Sequence, residues 1–268
     1  MMDETTKIIQ DFYEENVQQE WNRISGRPEF LLTCRMLGRY IKPGDNVLDI
    51  GGGPGRYSLW LAERGCDVSL FDLSPGNIMY AKERAAERSF ALHTYEGDAR
   101  EADKLIDNHF DHILLMGPMY HLLDETDRVM SVNAALNLLK ANGILFVSFI
   151  NMFAGIIFAM KERPDIVNDM TEQKFYRDFI ENRSFAGMAF TQAYFARQSE
   201  IIPFMSGFPL EKLHLFGQEG VMSPCEGNIM SQPEEIVELW LDLCEKIWER
   251  EDLLSWSEHL MYVGRKIS

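Results

Sequence analysis

The sequence lacks several features that mark other classes of protein. Its four cysteines form no C-x-x-C pair and no Cys/His cluster at the spacing of metal ligands, so we expect reduced core thiols, no disulfide framework and no metal site. The most apolar run, residues 149–160, contains Asn151 and is shorter than the ~20 residues that a membrane-spanning helix needs. The amino terminus has acidic residues and no apolar stretch typical of a secretory signal. These absences predict a cytoplasmic protein.

Basic residues are also scarce. Lys and Arg number 26 against 42 Asp and Glu, which gives a formal net charge of −16. Such a surface repels polyanions, so nucleic acid is an unfavourable partner, although a local basic patch could persist within an acidic total. With 268 residues and 46% hydrophobic content, the chain can bury a full core. We expect one principal α/β domain with additions.

A glycine-dense turn follows the apolar segment 47–50. Gly51, Gly53 and Gly55 allow the backbone to approach a ligand closely, and the helix-forming sequence after them would present unpaired N–H groups there. The dinucleotide fingerprint G-x-G-x-x-G needs a third glycine where this chain has Arg56, which disfavours a nicotinamide or flavin cofactor. The turn predicts a nucleotide-cofactor site, with a purely structural turn as the alternative.

An acidic residue closes the next predicted strand, residues 66–72. Asp72 lies about 20 residues after the first loop glycine, the distance at which a ribose-binding carboxylate falls in nucleotide-binding folds. Ser74 and Pro75 follow and predict a helix that continues to Ala86. The alternative is therefore that Asp72 or Ser74 caps this helix.

The ordered elements resemble the class I S-adenosyl-L-methionine-dependent methyltransferases. Motif I of that family is an acid followed by G-x-G-x-G, here Asp49 and the three glycines. Segment 92–99 resembles the family's third strand, segment 110–122 its fourth strand and a "GPMYHL" loop, and segment 136–149 a helix, a glycine turn and the fifth strand. The resemblance covers residues 40–150 and is to small-molecule enzymes; no Asn-Pro-Pro-Tyr motif for amino methylation of bases or glutamine follows the fourth strand.

The resemblance implies a fold, a cofactor and a set of site residues. The fold is a Rossmann-like, doubly wound α/β sheet of seven mostly parallel strands with an antiparallel last strand, plus a helical cap or insertion. The cofactor is S-adenosyl-L-methionine, with Asp72 on the ribose, Asp98 on the adenine amine and the loop after the fourth strand facing the methyl group. The implied cofactor-binding residues are Asp49, Gly51, Gly52, Gly53, Gly55, Asp72, Leu73, Asp98, Ala99, Met116 and Gly117.

Asp49 and Arg56 each have more than one possible role. Asp49 is expected to hold the glycine turn, or the methionyl amine through water, and not to act in catalysis. Arg56 could approach the methionyl carboxylate or could be a solvated residue at the start of a helix.

Methyl transfer from a sulfonium is an in-line displacement with a neutral leaving group, so positioning does most of the work. A general base is needed only for an acceptor that is protonated at neutral pH. His121 is the first candidate for this base, and its alternative is a loop histidine that bonds to the backbone. Tyr120 could orient the acceptor or contact the cofactor, and the other five histidines receive no role.

The chain divides into four expected parts. Residues 1–42 form amino-terminal helices over the cofactor site, 43–150 the cofactor-binding core, 151–200 a helical insertion or lid, and 201–268 the completion of the sheet. The insertion is rich in Phe, Met and Tyr, which would suit an apolar or aromatic acceptor; alternatively these side chains only pack the added helices on the core.

The sequence therefore predicts an S-adenosylmethionine-dependent methyltransferase with a small-molecule acceptor and no membrane partner. Three alternatives remain open: an S-adenosylmethionine-binding protein without turnover, an RNA or protein methyltransferase and, more remotely, a nicotinamide dehydrogenase. The oligomeric state is left open.

Overall fold

The computed structural model describes residues 3–267. Within them, the helices are Glu4–Arg23 (α1), Pro28–Tyr40 (α2), Arg56–Glu63 (α3), Pro75–Glu87 (α4), Ala102–Leu105 (α5), Glu125–Leu138 (α6), Phe153–Glu162 (α7), Gln173–Ile180 (α8), Gln198–Met205 (α9), Glu226–Met230 (α10) and Glu234–Ile247 (α11). The strands are Asn46–Ile50 (β1), Asp67–Asp72 (β2), His93–Glu96 (β3), Phe110–Leu115 (β4), Leu139–Asn151 (β5), Phe185–Met188 (β6), Gln192–Ala196 (β7), Leu210–Gly217 (β8) and His259–Lys266 (β9).

The strands form one mixed sheet. Strands β3, β2, β1, β4 and β5 lie side by side in that order, and all their pairings are parallel. Strand β9 runs antiparallel to β5, where Ile144 faces Arg265, and β8 runs antiparallel to β9. The last residues of β5 also pair in parallel with β7, which forms an antiparallel hairpin with β6.

The central strands are buried on both faces because helices cover the sheet on each side. Leu48 and Leu115 are fully buried on one face, in the same cluster as Val132 of α6. Val47 and Phe146 are fully buried on the other face, where α2 and α11 pack. Near-continuous apolar runs are typical of parallel strands that are buried on both sides.

The predicted fold class is confirmed. The structure differs from the expectation in the number of strands, in the insertion and in the turn expected before β5. The sheet in the described residues has nine strands and not seven, because β6 and β7 add a hairpin to the family arrangement. This hairpin lies inside the expected insertion 151–200, which is therefore not entirely helical. The glycine turn expected before the fifth strand lies within β5: its register against β4 shifts between Leu139 and Ile144, and Asn142, not Gly143, takes a positive φ of 63°.

Within residues 3–267, no helix is both long enough and apolar enough to cross a bilayer.

Gly55 has both a left-handed backbone and a close neighbour, and this generates a stability prediction. Its φ is +83°, and a Cβ added there would lie 2.9 Å from the Cβ of Ala81 on α4. We expect Gly55→Ala to lower the free energy of unfolding by about 2 kcal/mol or more, because backbone strain and crowding add. Urea unfolding of the purified variant measures this loss.

Gly44 provides the matched control. Its φ of +89° is similar, but a Cβ added there meets no atom within 4 Å. Gly44→Ala is expected to cost only about 1 kcal/mol, from backbone strain alone. Equal losses in the two variants would show that the contact between the glycine turn and α4 is not tight.

Candidate active site

A cavity opens at the carboxyl ends of β1, β2 and β4, where the strand order reverses between β1 and β4. Ligands of open α/β sheets bind at such switch points. The predicted site residues that line this cavity are Asp49, Gly51, Gly52, Gly53, Asp72, Leu73, Asp98, Ala99, Met116, Gly117, Tyr120 and His121. Gly55 does not line it; this glycine begins α3 and packs against α4.

Asp49 is buried beneath the glycine turn. Its Oδ2 accepts a hydrogen bond of 2.7 Å from the hydroxyl of Ser58, whereas its Oδ1 has no partner among the described residues. Burial, together with the nearby charge of Asp72, raises the pKa of Asp49 to about 7. The carboxyl group is therefore divided between its two protonation states at neutral pH.

Asp72 joins the turns after β1 and β2. Its Oδ2 accepts from the backbone N–H of Gly53 at 2.8 Å, and its Oδ1 accepts from the backbone N–H of Ser74 at 2.9 Å and from Asn77 Nδ2 at 3.1 Å. The cap of α4 is Ser74, whose hydroxyl accepts from the backbone N–H of Asn77. Of the two candidates for the cap, the structure thus selects Ser74, and the ribose contact of Asp72 stays a prediction.

The Asp98 carboxylate has a partner within the protein. It caps the turn after β3 by accepting from the backbone N–H of Arg100 at 2.9 Å, and the guanidinium of Arg100 binds both of its oxygens. An adenine amine would share an oxygen that is already hydrogen-bonded. The predicted contact between the Asp98 side chain and the adenine therefore has little support. Ala99, the next residue, also lines the cavity.

Helix α1 lies across the cavity. Gln10 donates to the carbonyl of Leu73 at 2.9 Å, and Glu14 accepts from the hydroxyl of Ser74 at 2.6 Å. Farther along the helix, the guanidinium of Arg56 lies 3.7 Å from the ring centre of Trp21 and donates to its carbonyl oxygen. Arg56 also lines the cavity, and its Nε has no partner among the described residues, so the contact with a methionyl carboxylate stays a prediction.

Both ring nitrogens of His121 have partners. Nδ1 donates to the carbonyl of Gln192 at 3.0 Å, which leaves Nε2 to accept from the hydroxyl of Tyr13 at 2.6 Å. Burial lowers the pKa of His121 to about 4, so the ring is neutral at pH 7. The geometry favours the histidine that bonds to the backbone over the general base, and the catalytic role stays a prediction.

Charged residues that sequence reasoning did not single out line the far end of the cavity: Glu20, Arg23, Glu29 and His259. The first three lie on the amino-terminal helices, and residues 20 and 23 are three apart on α1, a spacing that places them on one helix face. His259 reaches the cavity only because β9 pairs with β5, which a single sequence does not reveal.

The aromatic residues of the insertion pack among themselves. Phe175 contacts Phe185 and Phe195 with ring centres 5.3 and 5.4 Å apart, and Phe153 contacts Phe179 at 5.2 Å. The cavity is not lined by the Phe, Met and Tyr residues of the expected lid. The structure therefore supports the alternative of packing, and the apolar acceptor loses the observation that suggested it.

One group of side chains in the described residues has the composition of a metal site. Ligand atoms of Glu29, Glu219 and His259 lie within 4.8 Å of one another. Each is already engaged within the protein: Glu219 accepts from His259 Nδ1 at 2.6 Å, and Glu29 accepts from Arg23 at 3.1 Å. The group is therefore a network of ion pairs.

Comparisons with known proteins agree with this geometry. The sequence pattern of the family described as "Methyltransferase domain" matches residues 47–143. The glycine/sarcosine N-methyltransferase of Parasynechococcus marenigrum (strain WH8102) is 32% identical over 134 residues, which are 49% of this chain and 46% of that protein. A ubiquinone biosynthesis O-methyltransferase of Azorhizobium caulinodans is 34% identical over 116 residues, 42% of this chain and 44% of that protein. The chain thus spans about half the length of the curated relatives it matches.

A comparison of folds covers nearly the whole chain, beyond the segment that is similar in sequence. The crystal structure of magnesium protoporphyrin IX methyltransferase from Synechocystis PCC 6803 with bound S-adenosylhomocysteine superposes with a TM-score of 0.61. The superposition covers 98% of this chain and all of that one at 14% sequence identity, a level that speaks for the fold alone. Residues 47–143 are thus similar to the methyltransferase domain family, and the whole chain shares the fold of a methyltransferase.

Proposed function

We propose that this protein transfers a methyl group from S-adenosyl-L-methionine to a small-molecule acceptor and releases S-adenosylhomocysteine. The observation that carries the proposal is the continuity of one cavity. It begins at the glycine turn and Asp72, passes Tyr120 and ends among the charged side chains near His259. One cavity with two chemically different ends fits a site in which a cofactor and a second reactant meet.

Unpartnered polar atoms in the cavity wall fit a polar cofactor. Asp49 Oδ1 and Asn77 Oδ1 are buried without a hydrogen-bond partner in residues 3–267, and both residues line the cavity. A buried polar atom without a partner costs about 1–3 kcal/mol. The amine and the ribose hydroxyls of S-adenosylmethionine are groups that could satisfy such atoms.

The residues that would hold the cofactor follow from their positions. Asp49 would face the methionyl ammonium and Asp72 the ribose hydroxyls. Met116 and Gly117 would lie near the reacting end. When bound, S-adenosylmethionine supplies a methyl group activated by a positively charged sulfur. The chain itself contributes position: neutral His121 orients the hydroxyl of Tyr13, and α1 shields the cavity from water.

The named relatives differ in the atom that they methylate. Their names specify nitrogen in one case and oxygen in the other. Since the matched segments are about half of each protein, the likeness supports a small-molecule acceptor without selecting the atom. The cytoplasmic location and the unfavourable interaction with nucleic acid remain expectations from composition.

The experiment for this proposal is a turnover assay with S-adenosylmethionine that carries a deuterated methyl group. The protein is incubated with a small-molecule extract, and mass spectrometry follows both S-adenosylhomocysteine and products that gain the labelled methyl. We expect both to appear together. Tight binding of S-adenosylhomocysteine without any labelled product would instead favour the binding protein that lacks turnover.

Asp72 generates a binding prediction. In Asp72→Asn, one acceptor oxygen is replaced by an NH₂ group that must face a donor or the ribose, so we expect the affinity for S-adenosylhomocysteine to fall at least about tenfold. Isothermal titration calorimetry measures this change, and thermal unfolding checks that the variant is folded.

The control for this variant lies at the other end of the same strand. Asp67 begins β2, and its side chain is 59% exposed. Asp67→Asn should leave the affinity within about twofold of the wild type, because surface pairs contribute little. Equal losses in the two variants would contradict a specific role for Asp72.

The raised pKa of Asp49 generates a pH prediction. Below its folded value of about 7 the carboxyl group is protonated, and binding an ammonium group next to it requires loss of that proton. The affinity for S-adenosylhomocysteine should therefore rise as the pH increases from 6 to 8. Asp49→Asn should flatten this dependence, and an unchanged slope in the variant would exclude Asp49 as its source.

The same shift affects the stability of the free protein with a definite sign. The folded pKa lies above the ordinary value of 3.8, so the folded state holds this proton more tightly, and stability decreases as the pH rises from about 4 to about 7. Asp49→Asn should thus be at least as stable as the wild type at pH 8, in thermal unfolding without ligand.

A further inference from the structure

The far end of the cavity carries charges that the cofactor does not require. We call it the acidic recess and define it by Glu20, Arg23, Glu29, Tyr120 and His259, all of which line the cavity. Helices α1 and α2 supply the first three residues, the loop after β4 supplies Tyr120, and β9 supplies His259.

The charges in the recess do not cancel. The Arg23 guanidinium is shared between two carboxylates, with Nε 3.0 Å from Glu20 and Nη1 3.1 Å from Glu29. His259 forms a separate pair with Glu219, through Nδ1 and a carboxylate oxygen 2.6 Å apart. Burial would lower the pKa of His259, but Glu29 and Glu219 raise it to about 9, so this pair is ionic and neutral overall. Arg27 also acts on Glu29, but its guanidinium is paired with Glu226 at 3.2 Å, so one carboxylate charge of the recess is left without a matching cation.

An excess negative charge in a largely enclosed site is costly unless a cation compensates it. The carboxylates of Glu20 and Glu29 are only 16% and 12% exposed, so water screens them incompletely. A bound ammonium group would supply the missing charge, whereas a bound carboxylate or phosphate would add to the excess.

Aromatic rings complete the recess. Tyr13, Tyr57 and Tyr120 are all cavity-lining, and aromatic faces attract cations. The Tyr57 hydroxyl is buried without a partner in residues 3–267, so it can accept a hydrogen bond from an N–H group.

We propose that the acidic recess binds the methyl acceptor and that this acceptor is a small amine, which is an ammonium ion in water. The inference rests on the proposed function and narrows it to transfer to nitrogen. The ammonium first gives one proton to water. The free lone pair then forms the N–C bond as the S–C bond breaks, the electrons of the broken bond stay on sulfur, and the product leaves as a methylated ammonium ion.

An alcohol is less compatible with this recess. Such an acceptor needs a base to take its proton during the reaction. Neither histidine on the cavity is free to act as that base, because His121 has both nitrogens engaged and His259 is protonated at neutral pH. An ammonium is also protonated at neutral pH, but its pKa of about 10 lies far below that of an alcohol, so a fraction of it loses the proton to water before the transfer.

The test uses pairs of small molecules that differ only in the nitrogen: ethanolamine with ethylene glycol, glycine with glycolate, and benzylamine with benzyl alcohol. Each is titrated calorimetrically into the protein saturated with S-adenosylhomocysteine, and each is incubated with deuterium-labelled S-adenosylmethionine. We expect at least one amine to bind at least tenfold more tightly than its hydroxyl partner and to gain the label on nitrogen.

Variants locate the site. Glu29→Gln removes the excess charge and should weaken amine binding at least tenfold, with little change in the affinity for S-adenosylhomocysteine. Glu20→Gln removes the other carboxylate that pairs with Arg23, and it replaces Glu29→Gln in the test if that variant does not fold. Glu63→Gln, at an exposed position of α3, is the matched control and should behave as the wild type.

The outcomes separate the two proposals. If S-adenosylhomocysteine binds but no amine outperforms its hydroxyl partner, or if the label appears on oxygen, carbon or sulfur, the amine assignment is overturned and the methyltransferase proposal stands. If S-adenosylhomocysteine does not bind and none forms from S-adenosylmethionine, the proposed function itself fails.

Discussion

The Asp72 carboxylate is the constraint on which the geometry of the site depends. It holds the glycine turn through Gly53 and the start of α4 through Ser74 and Asn77, so two loops from neighbouring strands share one acceptor. These hydrogen bonds are shielded from water because Asp72 is only 7% exposed. The same carboxylate charge contributes to the raised pKa of Asp49 across the turn. The Asp72 side chain therefore affects both the positions of the two loops and the pKa of Asp49.

Helix α1 turns this open edge of the sheet into a cavity. It contacts the turn after β2 through Gln10 and Glu14, and the loop after β4 through Tyr13. The helix also carries Glu20 and Arg23 into the far end of the same cavity. One element thus covers the proposed cofactor position and supplies charge to the proposed acceptor position. Binding of the two reactants is expected to be coupled through the position of α1.

The sequence was informative where local pattern determines structure and less so where distant segments meet. An apolar run predicted β1, a short segment that ends in Asp72 predicted β2, and the resemblance predicted β4. The glycine turn with Asp72 predicted the edge of the sheet that forms the cavity. Partial strand character was visible at residues 190–195, which overlap β7, but its pairing with β6 as a hairpin was not predicted. His259 was passed over because only strand pairing brings it to Glu219 and Glu29. The hydrogen bonds of His121, the expected base, could not be predicted either, because its partners Tyr13 and Gln192 are remote in sequence.

The central claim is that one cavity beneath α1 holds S-adenosylmethionine with its reacting end toward the acidic recess. A crystal structure of the protein with S-adenosylhomocysteine tests this most directly. The account predicts ribose hydroxyls within hydrogen-bond distance of Asp72, the amino group beside Asp49, and the sulfur directed toward Tyr120 and the recess. A ligand bound outside this cavity, or inside it with the sulfur directed away from Tyr120, would contradict the account.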